Sequence, residues 1–432
     1  MKARQFGHMR RLSMMNALLF YRAVLARRAL GRAVLLVFLF LAPLGAQPAR
    51  APAPGVQAPR EYTLTAEERA KAKAYAHARH LLYFAGQAVT FAVLAALARY
   101  GLPRRIRGRW IVPAVLAALL LAELPLDAFD ESLSRFYGQS IQDWPSWLVD
   151  QSKGWGIVLA TGTLLIWGIY ALMRRSPRRW WLYAWLLSIP LELAGAFLSP
   201  LVLEPLFSRF QPLEKEHPAL VESIERVLRR AGVEIPRARL LEMKASEKTN
   251  SLNAYVSGFG ASKRLVLWDT IIAKEDGAPL LTTVGHELGH YVLHHIRDGL
   301  IFGVLLSLAG FFGLYLILRF FHHAATWQGA PFLLLTASCL IFVSTPLVAG
   351  FSRMQEHEAD RYSLEVTHGI VPDAGRAAAL AFQIEGESAL ADPDPGPFVR
   401  FWLYDHPPLA ERLRFCLDYD PWKAGQSPRY VR

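Results

Sequence analysis

Long apolar runs alternate with short arginine-rich joints along most of this chain, a pattern that predicts repeated membrane crossings by helices. The runs fall at about 33–46, 81–98, 110–126, 155–173, 180–203, 299–320 and 331–351. The first is short for a span, ends in small residues and follows a basic stretch (Lys2, Arg4, Arg10, Arg11, Arg22, Arg27, Arg28, Arg32). It fits either an uncleaved first span or a signal sequence with an overlong basic region. Gln47 to Arg60 is a Pro/Ala-rich linker. Thr65 and Glu68 then form a Thr-x-x-Glu capping box before a charged helix reaching about Arg79.

Between about 206 and 298 the polarity is mixed and the periodicity changes. Ala219 to Ala231 predicts an amphipathic helix closed by Gly232, and Arg239 to Met243 a strand. Asn253 to Phe259 and Arg264 to Trp268 predict a hairpin turning through Gly260, Ala261 and Ser262. From Ala278 to Ile296 the spacing is helical, with Leu280, Leu281, Val284, Leu288, Tyr291, Val292 and Ile296 forming a broad apolar surface. The predicted organisation is a basic N-terminus, signal-like span and linker (1–60), four spans (61–205), a small α+β unit (206–298), a two-span hairpin (299–351) and a polar C-terminal segment (352–432).

Composition agrees with a bilayer setting: 53% of residues are hydrophobic and 19% charged, against about 25% charged in a soluble domain. The net charge of +12 sits in joints at span ends. It reads as anchoring at a bilayer face rather than nucleic-acid binding. Arg99, Arg104, Arg105, Arg107 and Arg109 join spans two and three, and Arg174, Arg175, Arg178 and Arg179 join spans four and five. By the positive-inside rule both loops are cytoplasmic, which puts the 206–298 unit and the C-terminal segment outside, periplasmic in a bacterial inner membrane. Cys339 and Cys416 are the only cysteines, so neither a disulfide framework nor a cysteine zinc site is expected.

His286-Glu287-Leu288-Gly289-His290 is where the chemistry concentrates. On a helix, positions i and i+4 stand one above the other, so both imidazoles can turn a nitrogen to one metal ion about 2 Å away. Glu287 projects about 100° round from His286, placed to take a proton from a water rather than to be a ligand. This is the division of labour of a zinc peptidase. A catalytic zinc needs a third protein ligand, and Leu293 and Ile296 stand where a metzincin extension would need Gly and His. The best candidate is Glu356, directly after the last span as the His286 helix directly precedes the span before it. An out-and-back hairpin returns both to one membrane face. Asp360 lies four residues on, on the same helical face, where a carboxylate can orient a ligand histidine. His357 and Glu358 are rival ligands that face away from Asp360. His294 and His295 read as supporting or surface residues.

At this point the chain resembles the type I CAAX prenyl endopeptidases, membrane-embedded zinc metalloproteases of the gluzincin class. The likeness runs from about Tyr62 onward. It rests on Glu204-Pro205-Leu206-Phe207, Asn253-Ala254-Tyr255 with Lys263-Arg264-Leu265-Val266-Leu267, the His286 motif, Ser352-Arg353 with Glu356-x-x-x-Asp360, and His406-Pro407-Pro408-Leu409-Ala410-Glu411-Arg412. The resemblance implies about seven helices enclosing a chamber, a zincin-like unit closing one end, and one zinc ion held by His286, His290 and Glu356. It implies Glu287 as base, Asn253 and Ala254 on the substrate backbone, His406 facing the scissile carbonyl, and Arg412 near the site, paired with Asp360. It also implies a peptide or protein substrate of the CAAX type. The outward orientation and export-like N-terminus point to a bacterial-type relative. A zinc-binding transporter, chaperone or sensor without proteolysis is the alternative; oligomeric state leaves no mark on the sequence.

Overall fold

Thr65 opens the first helix as its cap: its hydroxyl accepts from Glu68 N at 3.2 Å, and Glu68 returns a carboxylate to Thr65 N at 2.9 Å. The computed structural model describes residues 61–258, 263–323 and 325–431. The run at 33–46 and the hairpin turn at 260–262 lie outside the described residues. Helix α1 (Ala66–Tyr100) is followed by α2 (Ile111–Phe136), α3 (Trp144–Arg175), α4 (Trp180–Leu198) and the short α5 (Glu204–Phe207). A charged helix to Arg79 followed by a separate span is not what forms; α1 runs unbroken. No Pro or Gly stands between Ala66 and Ala85, and Ala, Glu, Lys and Arg all favour helix, so the change of polarity does not interrupt the backbone.

Among the described residues, five helices are long and apolar enough to cross a membrane. A sixth results if α4 and the segment Ser199–Phe207, bent by 46°, count as one. The bend falls at a π-helical turn, Ser199–Leu203, whose Pro200 lacks a backbone donor. Leu121, Leu164, Leu187, Leu305, Ile341 and Leu347 are exposed on these helices, the pattern of lipid-facing positions.

The α+β unit starts with strand β1 (Phe210–Pro212), then α6 (Pro218–Ala231), β2 (Leu240–Met243), β3 (Ala254–Ser257), β4 (Arg264–Trp268), α7 (Asp269–Lys274) and α8 (Ala278–Val292). Gly232 ends α6 in a left-handed cap at φ 65°, as expected where a Cβ would be penalised. The sheet order is β1-β2-β4-β3, with β2 and β4 parallel and both flanking pairs antiparallel. That leaves β3 at an edge. Val221, Ile224 and Val227 of α6, Leu240 and Leu265 of the sheet, and Leu280 and Leu288 of α8 share one buried cluster.

Helix α8 ends four residues before the predicted Ile296. His294 adopts a left-handed conformation (φ 61°) and α9 (His295–Phe320) restarts at the next residue. The apolar periodicity continues across this break, which is why the spacing did not mark it. Helix α10 (Ala330–Thr367) returns from the membrane and carries Glu356 and Asp360 on the same uninterrupted rod as its span. Helices α11 (Ala374–Ala389), α12 (Pro397–Trp402) and α13 (Leu409–Asp418) complete the chain.

Candidate active site

Two glycines bear on how closely the two helices that carry the candidate ligands approach. A Cβ on Gly285 would lie 3.0 Å from a Val366 methyl, and one on Gly289 would lie 3.1 Å from the Ala359 Cα. A methyl at either position would require α8 or its neighbour to shift by a few tenths of an ångström, so Gly favours the close approach that brings Glu356 and Asp360 beside the two histidines.

His286 Nε2 and His290 Nε2 are 3.1 Å apart. Glu356 Oε2 is 3.2 Å from His286 Nε2, and its Oε1 is 3.3 Å from His290 Nε2. The edge of a tetrahedron with ligand bonds near 2.0–2.1 Å is about 3.3 Å. Glu356 Oε2 is buried and takes part in no hydrogen bond, an orphaned acceptor that a cation would satisfy. The donor set, two neutral nitrogens and a carboxylate, suits zinc. These residues fit the metal.

Asp360 is buried beside them, its Oδ1 2.9 Å from His286 Nδ1. Arg412, on α13, donates to both Asp360 oxygens at 2.6 and 2.9 Å and lies 3.4 Å from Glu356. Its guanidinium stacks on the Phe382 ring of α11. A buried cation between two buried carboxylates offsets charge that would otherwise be costly. Glu287 points into a cavity of about 780 Å³ that Asn253, Ala254, Glu385, His406 and Arg412 also line. Burial raises the Glu287 carboxyl above the usual glutamate range, with His286 and His290 pulling the other way. His406 Nε2 sits 3.4 Å from Glu356 Oε1, and its Nδ1 is 2.8 Å from Asp405. Its ring is half exposed; partial desolvation lowers its pKa, but Asp405 and Glu356 outweigh this and raise it.

Seven of the nine sequence candidates line this cavity, and the other two, His290 and Glu356, stand 3.1 and 3.2 Å from His286 Nε2. Of the rival ligands, His357 packs its ring on Phe415, 4.5 Å between centroids, and Glu358 turns toward His295. Glu192 accepts from Ser188 at 3.0 Å, and Glu123 from Thr90. Several contributors went unassigned. Arg353, quoted only as part of a motif, donates to the Tyr404 and Arg400 carbonyls and ties the His406 loop to α10. Glu204, at the end of the bent span, takes Tyr255 OH and Arg264, the latter at 2.7 Å, and so fastens β3 and β4 to the membrane helices. Glu385 lines the cavity, and the wholly buried Glu275 stands behind it. Burial raises both, Glu275 further through Glu385. Glu385 is one of several polar residues on α11, with Gln383 and Glu387 beside it, and Glu275 follows α7, so neither stood out in the sequence.

A model of "Peptidase family M48" matches residues 214–419, and one of "CAAX prenyl protease N-terminal, five membrane helices" matches 54–209. The uncharacterized metalloprotease YhfN of Bacillus subtilis (strain 168) is 35% identical over 385 residues, covering 83% of this chain and 88% of that protein. The chain belongs to peptidase family M48. CAAX prenyl protease 1 of Saccharomyces cerevisiae (strain ATCC 204508 / S288c) is 25% identical, the alignment covering 69% of each. The crystal structure of S. mikatae Ste24p shares the fold of this M48 chain, with a TM-score of 0.66 at 21% identity over 82% of this chain and 89% of that one. This M48 peptidase is a multi-pass membrane zinc metalloprotease, and a zinc-binding transporter, chaperone or sensor without proteolysis is not favoured.

Proposed function

We propose that this M48 peptidase is an endopeptidase of the H-E-x-x-H plus distal glutamate type, with one zinc ion held by His286, His290 and Glu356. The observation that carries this reading is the 3.1–3.3 Å triangle of His286, His290 and Glu356 donor atoms, reached from two helices separated by a membrane excursion. Bound there, zinc would supply Lewis-acid polarisation of a water and of the scissile carbonyl.

The residues do the rest. Glu287 Oε, on the cavity wall beside His286, takes the proton of the attacking water and later passes it to the departing amine nitrogen. Asp360 holds His286 by its Nδ1–H, and Arg412 holds Asp360. His406, kept in place by Asp405, donates toward the oxygen on which negative charge develops. The peptide lies along the free edge of β3 as an added strand, with Asn253 and Ala254 against its backbone. Substrates are membrane-associated or unfolded proteins; processing of CAAX-type prenyl proteins is what the family resemblance implies, and the yeast relative carries that name. The membrane is a bacterial inner membrane with the catalytic unit on the periplasmic side, a placement supported by the arginine loops at 99–109 and 174–179.

Purified protein is expected to carry about one zinc per chain and to cleave an unfolded reporter peptide until a chelator is added. Glu287→Gln keeps the zinc and loses cleavage by at least the 10²–10⁴-fold typical of a general base, roughly. A Glu287→Gln enzyme as fast as wild type, or protein without divalent metal, overturns the reading. Tag accessibility in the 206–298 unit tests the periplasmic side.

A further inference from the structure

The two ligand histidines are not supported alike. His286 Nδ1 faces a carboxylate, Asp360, at 2.9 Å. His290 Nδ1 faces another imidazole: His295 Nδ1 is 3.0 Å away, with the rings edge-on and centroids 5.0 Å apart. His295 is 5% exposed, and the left-handed turn at His294 is what folds it back under α8 rather than leaving it on the next helical turn. Helix α10 grips it from the other side. Gln355 Nε2 donates to the His295 carbonyl at 3.0 Å, and Glu358 Oε2 lies 3.5 Å from His295 Nε2.

The protons follow from this arrangement. His290 Nε2 is turned toward His286 and Glu356, so its lone pair is needed there and its proton resides on Nδ1. His295 Nδ1 must then accept, which puts the His295 proton on Nε2. That nitrogen is buried, makes no hydrogen bond and points at the Glu358 carboxylate, which favours this tautomer electrostatically. We propose that His295 is a positioning residue for the metal: it accepts the His290 Nδ1–H, fixes the tautomer and plane of that ligand, and is itself held in register by Gln355 and Glu358. The proposal rests on the zinc site described under Proposed function, and it assigns to a neutral imidazole the task that Asp360 performs for His286.

The test compares wild type with His295→Leu, His295→Asn and His295→Asp in the full chain in detergent, reading zinc affinity by chelator competition and the visible spectrum of the cobalt-substituted protein. Removing a partner of a ligand histidine lowers metal affinity about 10–100-fold, so His295→Leu should fall by that factor and shift the cobalt bands. His295→Asn, with an acceptor near the Nδ1 position, should stay within a few-fold, and His295→Asp should equal or exceed wild type. A merely space-filling role predicts the opposite order, with leucine the mildest change and aspartate the most damaging. Should the leucine protein fail to fold, the order of the asparagine and aspartate variants against wild type decides alone. Equal affinity and unchanged spectra across the series overturn the proposal while His286→Ala still loses zinc. Wild-type protein that binds no zinc overturns the site itself.

Discussion

The pair Asp360–Arg412 allows the strongest quantitative test. Both side chains are nearly inaccessible, at 1% and 7% exposure, and are joined by two hydrogen bonds of 2.6 and 2.9 Å. Arg412→Met leaves Asp360 buried with His286 as its only close partner, and Asp360→Asn leaves Arg412 with Glu356 at 3.4 Å. Stranding one partner of a buried pair costs about 3–5 kcal/mol. The double variant strands neither Asp360 nor Arg412, and Glu356 loses its arginine in it as in the arginine single, so it should lose clearly less than the sum of the singles, with a coupling of about 1–3 kcal/mol. Urea unfolding in detergent, run with a chelator so that metal binding does not add its own stabilisation, gives the four values. Coupling below about 0.5 kcal/mol, or an Arg412→Met protein as stable as wild type, would refute the view that this cation is what makes the buried carboxylate tolerable.

Three further outcomes are expected. Gly289→Ala drives a methyl against the Ala359 Cα, 3.1 Å away; overpacking of about 1–3 kcal/mol should spread α8 from α10 and show as weakened zinc binding in the same chelator competition. Glu275 is pushed up by burial and by Glu385, so the folded protein holds its proton more tightly than the unfolded chain does. Its contribution is complete below about pH 4.3 and is lost as pH rises through the elevated folded value, at up to about 1.4 kcal/mol per unit; Glu275→Gln should flatten that fall in unfolding measured across this range. Glu204→Ala frees Tyr255 and Arg264 and loosens β3, so KM should rise several-fold with little change in kcat; a selective loss of kcat would show that strand anchoring is not its role.

Much of the site was legible because its chemistry has a helical period. His286 and His290 share a face at a spacing of four, as do Glu356 and Asp360, and the number of spans between them fixes the side to which both return. The same logic located α6 to within one residue at its start. Legibility ended where tertiary packing overrides local pattern. The polarity step at Arg79 does not break α1, since nothing in its backbone chemistry demands a break. Strand β1 is three residues long and pairs with β2 at the edge of the sheet, too short for alternation to register. The early stop of α8 is followed by a left-handed histidine, His294, and the apolar periodicity running on across it gave no sign of the break. Glu275 and Glu385 meet from segments more than a hundred positions apart.

That Glu356 rides on the far arm of a transmembrane excursion has a consequence for biogenesis. On the proposed ligand set, a chain that has delivered only the HELGH helix still lacks its carboxylate, which arrives once both arms have crossed the bilayer, and Arg412 follows later still. On that reading a nascent or misinserted copy should be unable to cleave peptides, because correct insertion of the α9–α10 hairpin is a precondition of the site.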